Sequence, residues 1–432
     1  MCATMLKIPY LWVDRYCIDQ NDASSTTKQR LLQSMDVIYS AAKVTIVSVA
    51  GVDATTGLPG VSTTPRTSLR RTVIHGHCVV EVSNPADHIA SSKWITRGWT
   101  LQEGVLARRR LVFTDTQICF QCTQSHCIES VLGAFNSDGI LGANFADHRG
   151  PRMSTQAFPS STVGSSGYSI EQLCNEFARR VLTSESDSMR ACLGILARLW
   201  KADPPVYHYS GLPFDAISEA GLARSLFWNG YLPSGVDSRS PLARRNWGPS
   251  WSRLAWKSSA EFDQGHWPKD PERTQLSATL RVQNMKKRGT STINDYVQDI
   301  TDGGLHEAWL PYIEITGWIA TVHVKPSHYD HTGLYCYTEE DYDHVGHAEL
   351  RFKEKTDEWL SVMFIAFDGS GWLYSLILRS HFSRSRCQYE RMGSTRLTCE
   401  SAEIQEDGGR FFLKTSFGGP RLFCTKATIQ LI

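Results

Sequence analysis

The residues of this chain best suited to chemistry fall in a few short stretches. In the first, Val13-Asp14-Arg15-Tyr16-Cys17-Ile18-Asp19-Gln20, two carboxylates straddle a thiol. Asp14 and Asp19 could contact a ligand or a metal ion. They could equally organise the loop through hydrogen bonds to the backbone, with Cys17 buried between them. A nucleophilic cysteine needs a base beside it, and no histidine is close to Cys17 in the sequence. The second stretch is Arg97-Gly98-Trp99-Thr100-Leu101-Gln102-Glu103. Its Thr-x-x-Glu spacing is that of a capping box, in which Glu103 accepts from the backbone N–H of Thr100 at a helix start.

Other clusters carry weaker chemistry. Cys119, Cys122, His126 and Cys127 suggest zinc, with His75, His77 and Cys78 as distant additions. The first pair falls in a predicted strand and the second follows too closely for the usual four-ligand spacing, so no metal site is expected. Arg108-Arg109-Arg110, with Arg66, Arg70 and Arg71, could grip a phosphate; a solvated basic face is the simpler reading. Trp247, Trp251 and Trp256 could stack on sugars, but core packing is the commoner use of tryptophan.

The elements that must position these residues follow from periodicity. Tyr10–Val13 reads as a short apolar strand running into the polar loop 14–25. Leu31, Leu32, Met35, Ile38 and Ala42 recur at helical spacing, and Thr26 with Gln29 offers a capped start. Val44–Val49 is β-branched without alternation, as in a strand buried on both faces. This β-α-β order predicts an open, mainly parallel α/β sheet, with Asp14, Asp19 and the stretch Ser48–Asp53 beyond strand ends where ligands bind.

Residues 54–92 read as a long surface loop interrupted by a strand-like run at His77–Val82. A helix is expected from Thr100, then a hairpin of Arg110–Thr114 and Gln117–Gln121 around Asp115-Thr116. Residues 136–167, rich in Gly, Ser and Pro, make a linker. The predicted organisation is therefore a domain over 1–135, the linker, a helical segment over 168–255 and a β-rich domain over 256–432. The helical segment has apolar stripes at Ile170, Leu173, Phe177, Val181 and at Met189, Cys192, Leu196, Leu199, with a third helix over Phe214–Trp228. Strands are expected at Tyr312–Val324, Leu350–Phe352, Trp359–Phe367, Trp372–Arg379 and Thr425–Ile432.

Bulk properties narrow the class. The chain has 432 residues, with 45 basic and 44 acidic side chains and a formal charge of +1. That balance gives no global pull toward nucleic acid or anionic membranes. No stretch approaches the ~20 apolar residues that cross a bilayer, and no signal-peptide pattern opens the chain. A cytoplasmic protein is expected, whose 12 cysteines, spread along the chain, stay reduced.

Taken together, Tyr10-Leu11-Trp12-Val13-Asp14-Arg15-Tyr16-Cys17-Ile18-Asp19-Gln20, the run Met35–Ala42, Val44–Gly51, Gly57-Leu58-Pro59-Gly60, Trp94 and Arg97–Glu103 resemble the signatures of the fungal heterokaryon-incompatibility domain. The likeness is specific over 10–122 and looser afterwards. It implies a role in non-self recognition, with growth arrest or cell death as the outcome. It also implies a shortened N-terminus, since family members carry a first strand ahead of the Tyr10 signature. That domain is similar in turn to the Toll/interleukin-1 receptor domain, some of whose members cleave nicotinamide adenine dinucleotide with a glutamate after a Trp-containing stretch. The resemblance therefore makes Glu103 the candidate catalytic carboxylate, with Asp14, Asp19, Arg97 and Trp99 as ligand contacts. The dinucleotide would be a substrate rather than a cofactor. A protein partner or self-association is expected. The alternatives are a non-catalytic scaffold signalling by self-association and an inactive truncated member.

Overall fold

The computed structural model describes residues 2–432 apart from 20–25, 54, 82, 131–134, 137–157, 159–169, 215–216, 232–242, 258–260, 264–266, 268–273, 285–288, 304–310, 327–333, 338–343, 351–357, 369–370, 383–386, 408–409 and 416–420. The expected linker lies almost wholly outside the described residues. The chain divides into two compact units, one of Met1–Ser169 with Arg180–Pro205, the other of Ile170–Arg179 with Val206–Ile432. The segment expected to be helical is thus shared between them.

The first unit begins with helical turns α1 (Cys2–Met5) and α2 (Asp14–Cys17), then α3 (Thr26–Gln33) and α4 (Met35–Ala41). The expected strand over Tyr10–Val13 does not form. Tyr10 and Leu11 are 87% and 64% exposed, and the Val13 carbonyl accepts from the N–H groups of Tyr16 and Cys17 to close α2. An apolar run becomes a strand only where a neighbour completes its backbone hydrogen bonds. Here Trp12 and Val13 are half-buried, with Trp12 edge-on to Tyr39 at 5.8 Å. The single helix expected over 26–42 is broken at Ser34, whose hydroxyl donates back to the Arg30 carbonyl at 2.8 Å. Such back-bonding competes with helix continuation. Met35 and Tyr39 are buried, Leu31 and Leu32 only partly.

Strand β1 (Thr45–Ser48) comes next, followed by the hairpin of β2 (Arg71–Ile74) and β3 (His77–Val80), which stands exposed along its whole length. Its two-residue turn places His75 at φ 49° and Gly76 at φ 79°, the left-handed pair that matches strand twist. Helices α5 (Pro85–Ser91), α6 (Lys93–Thr96) and α7 (Thr100–Leu106) lead to β4 (Arg109–Phe113), β5 (Ile118–Cys122), β6 (Ser125–Ile128) and β7 (Phe135–Asn136). β1 pairs parallel with β4, from Thr45↔Arg110 to Ser48↔Phe113. The remaining pairs, β4–β5, β5–β6 and β6–β7, are antiparallel. The sheet is therefore mixed rather than mainly parallel, because consecutive strands joined by tight turns must reverse direction. The Asp115-Thr116 turn was legible, and Thr114 Oγ1 donates to the Gln117 carbonyl across it at 2.8 Å. Val47, Val49, Ile89, Trp94, Val112, Cys119, Ile128 and Phe158 form the core.

Beyond this sheet the chain forms α8 (Ile170–Ala178), in the second unit, and α9 (Arg190–Trp200), in the first. Met189, Cys192, Leu196 and Leu199 are all buried, as their spacing predicts; of the other stripe, Leu173 and Phe177 are buried and Val181 is exposed. Helix α10 spans Glu219–Leu226, capped by the Ser218 hydroxyl, while Phe214 sits in a short strand before it.

The second unit is dominated by one large sheet. Its long strands include Ile313–Pro326, Glu358–Phe367, Trp372–Phe382 and Arg421–Leu431, close to the expected positions. Leu350 ends a strand over His344–Leu350, and the rest of that expected run lies outside the described residues. The strand Cys387–Asp407 and the helix α11 (Ile293–Gly303) were not anticipated. Val322, Leu360, Phe364, Ile377, Leu397, Leu413 and Leu422 are among the residues filling this core. A cluster of indoles is wholly buried. Trp228 donates to the Trp251 carbonyl at 2.9 Å, Trp251 to Leu431 at 3.0 Å and Trp256 to Ser250 at 3.0 Å. These tryptophans pack rather than present a sugar platform; Trp247 is half-buried.

Candidate functional site

The site is built on α5, α6 and α7. Asn84 caps α5, accepting from the Ala86 N–H at 3.1 Å, with Pro85 at the first helical position. Ser92 caps α6, accepting from the Ile95 N–H at 3.3 Å. These caps fix where the chain turns and hold Trp94 on the buried side of α6.

At α7 the expected capping box does not form. Thr100 is already inside the helix, and the residue at the cap position, Trp99, makes no side-chain capping bond. The Thr100 hydroxyl instead donates back to the carbonyls of Trp94, at 2.6 Å, and Arg97, at 2.7 Å. Glu103 turns sideways: its Oε2 accepts from the Trp94 indole Nε1 at 3.1 Å. Gln102 is fully buried, receiving the Gly194 N–H at 3.0 Å and donating to the Arg190 carbonyl at 3.2 Å. The Arg97–Glu103 stretch therefore uses Thr100 and Gln102 to fix backbone, leaving Glu103 for the indole.

Glu103 keeps part of its residue surface accessible, yet its carboxylate is enclosed. Burial is the first cause raising its pKa; the Trp94 hydrogen bond lowers it, Asp14 raises it, and Arg97 and Arg180 lower it. Tyr39 is held far above the ordinary phenol range, chiefly by burial, then by Glu103 and Asp14, with Arg97 opposing. Asp14, Tyr39, Trp94, Arg97, Glu103 and Arg180 thus share one electrostatic neighbourhood, drawn from α2, α4, α6, the residue after α6, α7 and the segment before α9. A buried carboxylate with a raised pKa and charges of both signs around it is a common mark of a working site.

Of the residues expected from sequence, the structure brings together Asp14, Arg97 and Glu103. Asp19 is exposed after the turn, and Asp14, not Asp19, acts on Glu103. Trp99 is half-buried at the start of α7. Cys17 is exposed rather than buried, its sulfur accepting from the Val13 N–H at 3.4 Å. Tyr39 and Arg180 were missed. Tyr39 sat within an apolar helix, and Arg180 meets Thr100 from 80 positions along the chain; neither offers a local signal.

The other clusters carry less. Among the described residues, no three His, Cys, Asp or Glu side chains gather as a metal site would need. Cys119 is buried, which pushes its thiol up to about 12, whereas Cys122 is only partly covered. The expected solvated basic face holds for Arg70, Arg71, Arg108 and Arg109, which are exposed, but not for Arg110: it is 3% exposed, lies 4.7 Å over the Phe158 ring and donates to the Gly104 carbonyl. Burial brings its pKa down to about 10. Arg66 pairs with Glu129 at 2.7 Å.

Residues 1–103 match the family of the heterokaryon incompatibility protein (HET), and the matched segment closes on Glu103. No curated protein and no solved structure matches the chain.

Proposed function

We propose that the first unit is the effector of fungal non-self recognition and that it acts in the cytoplasm by cleaving nicotinamide adenine dinucleotide at Glu103. The observation that carries this reading is the enclosed Glu103 carboxylate, fixed by the Trp94 indole beside Asp14, Tyr39, Arg97 and Arg180. The family match over 1–103 supports the incompatibility role; the choice of substrate rests on the resemblance to dinucleotide-cleaving Toll/interleukin-1 receptor domains.

In that reaction the bond between the ribose C1′ and the nicotinamide nitrogen breaks. Nicotinamide leaves neutral with the bonding pair, and water adds to C1′ with loss of a proton. Glu103 meets the positive charge that develops on the ribose and accepts from its hydroxyls. A carboxylate already fixed by the Trp94 indole does this better than bulk solvent, since it needs no reorganisation during the reaction. Burial raises the pKa of Glu103, so activity should rise with pH as the carboxylate forms.

The test is nicotinamide release by the purified chain. Glu103→Gln keeps the hydrogen bond from Trp94 but removes the charge, and the rate should fall by about 10²-fold or more. An equal rate in the variant would remove Glu103 from the reaction. A scaffold that signals by self-association is the second reading. It is favoured by the exposed Tyr10, Leu11 and Tyr16, and concentration-dependent assembly without nicotinamide release would select it.

A further inference from the structure

We propose that Arg180 is a positioning residue of the Glu103 site, setting the Trp94 indole and the Arg97–Thr100 loop against the carboxylate and adding its own positive charge there. The inference rests on the reading of Glu103 as the working carboxylate. It assigns a role in that site to a segment well beyond the matched residues 1–103.

The segment Arg180–Leu182 is already held without the guanidinium. Val181 donates its N–H to the Thr96 carbonyl at 2.6 Å, and the Gly98 N–H donates to the Val181 carbonyl at 2.8 Å. These bonds make a parallel bridge at Arg97 and Val181. Gly98 accommodates Leu182 so closely that a Cβ there would lie 2.3 Å from its Cδ2. Backbone pairing and packing therefore account for the docking.

Arg180 itself is 3% exposed. Burying a guanidinium is costly unless its donors are matched, so a segment needing only an anchor has little use for one. Its Nη1 donates to the Thr100 hydroxyl at 2.9 Å and to the Arg97 carbonyl at 3.1 Å. Its Cζ lies 5.9 Å from the centre of the Trp94 ring. One cation thus fixes the hydroxyl that binds the Trp94 carbonyl, lies over the ring that holds Glu103, and favours the ionised carboxylate. The groups acting on Glu103 are then Asp14 from α2, Trp94 from α6, Arg97 after α6 and Arg180. Asp14 and burial favour the acid; both arginines and the indole bond favour the carboxylate. Tyr39 from α4 is buried in the same neighbourhood.

The experiment follows the indole N–H resonance of Trp94 in ¹⁵N-tryptophan-labelled full chain through a pH titration, with nicotinamide release measured alongside. Glu103→Gln should abolish the titration, which identifies it as that of Glu103. In Arg180→Gln the midpoint should move to higher pH, and the rate should fall about tenfold or more at neutral pH, a fall that deepens as pH is lowered. Arg180→Lys should return the midpoint toward the wild-type value while leaving much of the rate loss, because an ammonium lacks the planar fork of the guanidinium. A folded Arg180→Gln chain with an unshifted midpoint would overturn the inference. If that variant does not fold, Arg180→Lys decides: a wild-type indole resonance and a wild-type rate would overturn it. A shifted midpoint in a chain that releases no nicotinamide would support the positioning role and count against the cleavage reading instead.

Discussion

The two units bury polar side chains for different ends. In the second unit, buried donors aim at backbone carbonyls. Arg391 donates to Leu226 and Trp228 and lies 4.3 Å over the Trp228 ring. Arg245 donates to Phe177 at 3.2 Å. Trp228, Trp251 and Trp256 each find a main-chain oxygen. In the first unit, α7 uses Gln102 in the same way, but Glu103 is placed where burial and Asp14 both oppose its charge. A donor on a main-chain carbonyl pins a fold, whereas a carboxylate buried against its charge lowers stability and is common at working sites. The contrast marks the second unit as a packed β structure and the Glu103 neighbourhood of the first as the place to test for chemistry.

The largest expected effect breaks the comparison from the structural side. Trp251 stacks on Tyr209 at 5.4 Å and is fully buried. Trp251→Ala should cost about 3–5 kcal/mol in denaturant unfolding; a loss below about 1 kcal/mol would mean that the indole cluster does not hold the second unit. Next comes Arg391→Met, which leaves two buried carbonyls without this donor at about 1–3 kcal/mol each. Unfolding within 0.5 kcal/mol of wild type, on the same approximate scale, would show that the guanidinium is not a pin.

Gln102→Leu sharpens the comparison within the first unit. It removes the Gln102 bonds to the Gly194 N–H and the Arg190 carbonyl and should cost about 1–3 kcal/mol. Nicotinamide release should fall with it, since α7 carries Glu103. Full stability in the variant would separate α7 from α9.

Part of this contrast was legible in the sequence. The Arg109–Cys122 hairpin and the long C-terminal strands carry local signals, alternation and turn residues, and formed near their expected positions. Arg97–Glu103 was visible as a motif, but the role of Glu103 was not. A Thr-x-x-Glu spacing states what a helix start could use, and the fold gave the carboxylate to an indole nine residues back. Tyr10–Val13 had strand composition but pairs with no strand among the described residues. Arg110 had the spacing of a basic surface, yet its place opposite Gln121 in the sheet put it inside. Arg180 could not be read at all, because its partners are distant in the chain. Local patterns fix elements; only tertiary contacts decide which charges meet.

Thermal unfolding of the wild type and Glu103→Gln across pH tests most directly whether Glu103 is kept for function rather than stability. A carboxyl whose folded pKa is raised above its unfolded value makes the native state bind more protons between those two values. Its deficit is absent below the ordinary glutamate range, grows as pH rises through the window, and persists above it. Glutamine carries no such deficit. The account predicts that Glu103→Gln melts higher than wild type at neutral and alkaline pH, by a few degrees, since about 1 kcal/mol moves the midpoint of a unit this size by roughly 2–4 °C. The two curves should converge in acid. A variant less stable than wild type at every pH would show Glu103 to be a structural carboxylate and contradict the account.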